Sequence, residues 1–116
     1  MLVCALIAGL GASVAAHHRV EKGRAVYYSD AYAGQTMACG GAYQPDKMVA
    51  AHRTLACGTK VKVKNRSNGE AVKVRIKDRG PYGDEGIIID VSKKAARKLD
   101  FITAGSAKVK VVVLHD

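Results

Sequence analysis

The sequence has no Trp, a single Phe, and aromatic residues at only 5% of its 116 positions. A core without large rings has to be assembled from Val, Ile, Leu and Ala, and a hydrophobic share of 48% supplies them. The same share excludes a disordered basic tail. Acidic residues are scarce beside basic ones, 10 against 19, which leaves a net charge of +9. At 116 residues the chain is one folded unit, with no room for a cofactor domain beside a substrate domain. There is no internal repeat, no low-complexity tract and no CxxC pair. His17, His18, His52 and His115 are not spaced as a ligand set, so neither a metal nor a cofactor is expected.

Charge is missing altogether from residues 1–16, MLVCALIAGLGASVAA. The apolar run followed by Val14-Ala15-Ala16 reads as a signal peptide cleaved after Ala16, and it is short for a membrane span. Residues 17–23 then read as a polar linker and residues 24–116 as the folded domain. The protein is accordingly expected to be exported, periplasmic or extracellular. In that setting the positive charge favours anionic cell-wall polymers over nucleic acid. With Cys4 removed, Cys39 and Cys57 remain as an even pair. One disulfide between them closes a loop of about 18 residues and contributes roughly 3 kcal/mol; two buried free thiols are the alternative. Nothing suggests more than a monomer.

Along the folded part, Arg24–Ser29 (RAVYYS) reads as a first strand. Asp30–Tyr43 is a Gly-rich loop, and Asp46 can cap a short helix over Lys47–Ala51. Lys60–Lys64 (KVKVK) and Ala71–Ile76 (AVKVRI) alternate strictly around the turn residues Asn65–Gly69. That predicts a hairpin with Val61, Val63, Val72, Val74 and Ile76 on one face and Lys or Arg on the other. Asp78-Arg79-Gly80-Pro81-Tyr82-Gly83 is a structured loop, Ile87–Ile89 a short apolar strand, and Ser92 the cap of a helix over Lys93–Leu99. Lys108–Leu114 is the last strand. Short strands with one or two short helices predict an all-β chain closed into a small barrel.

Six blocks occur in order: Ala50-Ala51-His52-Arg53-Thr54-Leu55, Cys57-Gly58-Thr59, Val63-Lys64-Asn65, Asn68-Gly69, Asp78-Arg79-Gly80-Pro81-Tyr82 and Ile89-Asp90-Val91-Ser92. Together they resemble the RlpA (rare lipoprotein A) family from about Gly23 to Leu114. The resemblance implies a six-stranded double-psi β-barrel. It also implies a lytic transglycosylase that cuts the MurNAc-GlcNAc bonds of peptidoglycan glycan strands and leaves 1,6-anhydro ends. Such a reaction needs one carboxyl group, first as acid and then as base, with its pKa raised toward neutrality.

The resemblance places the general acid/base at Asp78, with His52 and Asp90 in support. Tyr82, Arg79, Tyr43 and Tyr28 are candidates for substrate binding, because aromatic faces stack on sugar C–H faces. Tyr27 and Tyr28 are adjacent on a strand, so one of them points into the core. The chain departs from the characterised enzymes at Gly41 and Gln44, where acidic residues are expected. That departure keeps open a noncatalytic, expansin-like glycan binder or wall-loosening protein. A barwin-like secreted protein is a third reading, against which a single disulfide argues.

Overall fold

The strongest alternation in the chain becomes a hairpin. In the computed structural model, which describes residues 19–115, β3 (Lys60–Asn65) and β4 (Ala71–Asp78) pair antiparallel. Val61 lies opposite Val74 and Val63 opposite Val72, all buried, while Lys62, Lys64, Lys73 and Arg75 face solvent. The turn between them is held by Asn65. Its buried side chain accepts the Ser67 N–H and donates to the Leu99 carbonyl, each at 2.9 Å.

β1 (Val20–Tyr27), β2 (Val49–Ala51), β5 (Ile87–Val91) and β6 (Ala107–Val113) complete a closed barrel in the order β1-β5-β2-β4-β3-β6. β1–β5 and β2–β4 are parallel; the other neighbours are antiparallel. This is the six-stranded all-β barrel expected. Among the described residues, one α-helix, α1 (Lys93–Lys98), accompanies it, with a single 3-10 turn at Asp30–Tyr32. Ser92 caps α1, its Oγ accepting the Ala95 N–H at 3.2 Å. Ala95, Ala96 and Leu99 sit fully buried against the Val-rich barrel core and Phe101. At the other end of α1, Asn65 and Asn68 both donate to the Leu99 carbonyl, one of the orphan groups every helix terminus leaves.

Two expected boundaries change. Residues 47–51, read as a short helix capped by Asp46, contain the strand β2 instead. β4 hydrogen-bonds one edge of it and β5 the other, and this pairing overrides a local cap signal. Residues 20–23, assigned to the linker, are the first half of β1 and pair with β6 from Val20–Val112 to Gly23–Val109. Val20, Glu21 and Lys22 are all exposed, so no alternation marks this stretch and the ladder to β6 alone specifies it. The signal peptide and its cleavage site lie outside the described residues.

At Gly23, β1 leaves no room for a side chain against β5. A Cβ there would stand 2.7 Å from Ile88 Cγ2 and 3.1 Å from the Gly86 carbonyl oxygen. The branched Ile88 side chain and a backbone carbonyl have little freedom to retreat. Gly23→Ala is therefore expected to destabilise the barrel by about 1–3 kcal/mol, read from the shift of the denaturant midpoint. An unchanged midpoint would show that the two strands separate without loss.

Candidate active site

Two carboxyl groups flank one alanine. Ala51 of β2 pairs with Asp78 at the end of β4 on one side and with Asp90 near the end of β5 on the other. Their Cα atoms are thus two strand spacings apart, about 10 Å. Both residues are only partly exposed, but their surroundings differ sharply.

Asp78 is saturated with donors. Tyr28 Oη donates to its Oδ2 at 2.5 Å, and the N–H groups of Ala38 and Arg79 donate to its Oδ1 at 2.7 and 2.9 Å. All three bonds point toward it, the pattern of a carboxylate acting as acceptor. Asp90 has the opposite surroundings: its Oδ1 is buried without a hydrogen-bond partner. Burial, reinforced by the negative charge of Asp78, pushes its pKa from 3.8 up to about 7. One carboxyl is therefore held as an acceptor while its neighbour titrates near neutral pH, the arrangement that acid–base chemistry requires.

Tyr28 resolves the choice left open between the adjacent tyrosines. Tyr27 turns inward, donating to the Ile102 carbonyl and meeting Phe101 edge-on. Tyr28 turns to Asp78, and burial together with that hydrogen bond raises its pKa. Its ring stacks on Tyr43 with centroids 4.3 Å apart and meets Tyr32 edge-on. Tyr43 is only 1% exposed, and its hydroxyl accepts the Lys93 N–H at the start of α1. It therefore supports Tyr28 from beneath rather than facing a ligand.

The other expected residues are dispersed. His52 is buried, with Nδ1 accepting the N–H groups of Thr54 and Leu55. Its proton thus sits on Nε2, which donates to Glu21 at 2.8 Å. The ring faces a cavity of about 230 Å³ between β1, β6 and the Thr54-Leu55 loop. Only its backbone N–H reaches Asp78, at the carbonyl. Arg79 Nη1 donates to the His52 and Leu55 carbonyls, and Arg53 donates to the Pro81 and Asp84 carbonyls, so the two arginines lace the loops together. Tyr82 is 72% exposed on the Asp78 loop, open to a ligand.

A disulfide joins Cys39 to Cys57. It ties the loop bearing the Ala38 N–H to the segment braced by Arg79, a link between the cysteine pair and Asp78 that no sequence motif discloses. Gly40 and Gly41 lie in the same loop at φ of 97° and 82°. A side chain at Gly41 would meet open space but a strained backbone, so the glutamate expected there is disfavoured by the loop's own path.

Comparison with known proteins agrees with this architecture. A family model described as lytic transglycolase matches residues 20–111. The chain is 44% identical over 111 residues to the probable endolytic peptidoglycan transglycosylase RlpA of Nostoc sp., covering 93% of this chain and 30% of that protein. It is 42% identical over 94 residues to the endolytic peptidoglycan transglycosylase RlpA of Vibrio cholerae serotype O1, covering 81% and 35%. The chain thus spans about a third of the length of these curated relatives. Among solved structures, it is similar to an Asp-to-Asn mutant of the Clavibacter michiganensis expansin in complex with cellohexaose. That match has a TM-score of 0.67 at 26% identity, over 84% of this chain and 52% of the other.

The raised pKa of Asp90 makes stability depend on pH. Between its unfolded value near 3.9 and its folded value near 7, the native state binds a proton that the unfolded chain has released. Stability should therefore fall as pH rises across that window. Asp90→Asn removes the titration. It should match the parent near about pH 4 and exceed it by more than about 1 kcal/mol near about pH 8, judged by urea midpoints. An equal offset at both pH values would overturn this account of the buried carboxyl.

Proposed function

The chain belongs to the lytic transglycolase family, and on that premise we propose that it cleaves the glycan strands of peptidoglycan without water, acting outside the cytoplasm as a monomer. The observation that carries this reading is the pair of unlike carboxyls on either side of Ala51. In the reaction the C6 hydroxyl of a muramic acid unit attacks its own anomeric carbon. The glycosidic oxygen takes a proton, the bond to it breaks, and a 1,6-anhydro end forms. One group can give the first proton and take the second from the attacking hydroxyl, provided its pKa lies near the working pH.

Asp90 meets that condition, with a pKa near 7 and a buried oxygen lacking a partner. We therefore assign the proton transfer to Asp90, although the family resemblance alone favours Asp78. Asp78 adds its negative charge to the burial that raises Asp90, and it stabilises positive charge developing at the anomeric carbon. Tyr28, Ala38 and Arg79 hold Asp78 in place for that role. Tyr82 offers an exposed ring for stacking on a sugar, and His52 stabilises the adjacent loop through Thr54, Leu55 and Glu21. The similar expansin was solved in complex with cellohexaose, a β-linked glucan oligosaccharide, which supports a glycan as the class of ligand. The glycine at position 41 favours a second reading, in which the same surface grips glycan without cutting it.

Incubation with peptide-free glycan strands and with intact sacculi, followed by mass spectrometry, separates the readings. Anhydro-ended fragments are expected from the parent. Asp90→Asn and Asp78→Asn should each lower turnover by about 10²–10⁴-fold, and Tyr28→Phe by a smaller factor. Asp78→Asn should also move the alkaline limb of the rate profile to lower pH, because Asp90 then loses the neighbouring charge. An Asp78→Asn profile that keeps that limb in place would return the proton to Asp78. Co-sedimentation with strands and no fragments would establish a binder.

A further inference from the structure

On four contiguous strands of the barrel wall, β1, β6, β3 and β4, no Asp or Glu shares the outward face of the lysines; the exposed Glu21 of β1 alternates to the other face, where it pairs with His52. Most of those positions are Lys or Arg, and the register sets them directly against one another. Lys22 lies opposite Lys110, which lies opposite Lys64, a row of three cations across three strands. The neighbouring rows repeat the arrangement, with Arg24 opposite Lys108 and Lys62 opposite Lys73. Like charges facing each other across strands destabilise a sheet. Among the described residues the ion pairs are His52–Glu21 and Lys93–Asp30, and neither relieves this wall. The central row opens with Arg66 onto a shallow pocket of about 210 Å³.

We propose that this wall is a docking face for a linear polyol-phosphate polymer, a phosphodiester polyanion without bases, centred on Lys22, Lys64 and Lys110. Cations recur along each strand every second residue, about 6.7 Å, a step suited to one phosphodiester charge per short polyol unit. Lysine ammonium groups meet phosphate as point charges. The outward positions of the four strands carry no aromatic residue, so the stacking platform that holds single-stranded nucleic acid is missing. Val20 is the one large apolar side chain exposed on these four strands, at the end of β1, and a single valine is too little to hold the wall in a bilayer. The proposal stands whether or not the barrel end cuts glycan, because none of these cations hydrogen-bonds Tyr28, Asp78 or Asp90.

The test is titration of the whole chain with purified poly(glycerol phosphate) over a range of salt concentrations. The triple variant Lys22→Gln/Lys64→Gln/Lys110→Gln should weaken binding at least about tenfold near 0.15 M salt. It should also flatten the log–log salt slope by about 2 to 3. Its melting temperature should be unchanged or higher, since like-charge contacts are lost, so weakened binding is not misread as unfolding. A control triple on α1, Lys94→Gln/Arg97→Gln/Lys98→Gln, removes the same charge and should stay within about twofold of the parent. Equal weakening by both triples would reduce the effect to net charge and overturn the site. Tighter binding of an oligonucleotide with the same number of phosphates, or of anionic vesicles, would overturn the occupant.

Discussion

The pairing of β2 with β4 on one edge and β5 on the other sets how close two carboxyl groups come at this end of the barrel. At about 10 Å and an effective dielectric near 20, two unit charges repel by about 1.7 kcal/mol. That corresponds to little more than one pKa unit, so Asp78 alone does not lift Asp90 from 3.8 to about 7. Burial has to supply the larger part, on the face of β5 where Tyr28 and Tyr43 lie near enough to feel the charge of Asp90. Moving either pairing by one residue would turn one of the two carboxyls to the other face of the wall.

The surroundings of that pair are built from backbone more than from side chains. Ala38 and Arg79 contribute main-chain N–H groups to Asp78. The loops that present them are fixed by the Cys39–Cys57 disulfide and by arginines bonded to main-chain carbonyls. Donors held in this way need no reorganisation when charge develops nearby. The Tyr28–Tyr43 stack extends the same rigidity to α1, because Tyr43 accepts a hydrogen bond from the first residue of the helix.

Much of this was legible in the amino-acid order, and the gaps have physical causes. The β3–β4 hairpin was readable because alternation extends over both strands, and the Ser92 cap because serine meets the first turn of a helix directly. β2 is indistinguishable from a short helix in sequence because three residues are too few for any period to appear, and its two partners are distant in sequence. The resemblance placed Asp78 and Asp90 together, but nothing local tells which of them is starved of hydrogen bonds. That depends on where Tyr28 and Ala38 point, 50 and 40 residues away. The ring of His52 faces Glu21 for the same reason: its partner lies on a strand whose first half has no visible pattern.

The strand order carries a consequence for how the molecule is made. β1 is the first of the six barrel strands in sequence, yet its two neighbours are β5 and β6, the last two of the six to be synthesised. Until both exist, both edges of β1 are without their ladders, and the barrel has no closed intermediate built from its leading half. Such long-range pairing slows folding, because loop-closure entropy is spent before any contact repays it. The barrel consequently closes only once β6 is available, so the wall through β1 is completed after the β2–β4 and β2–β5 pairings that set the carboxyl pair have become possible.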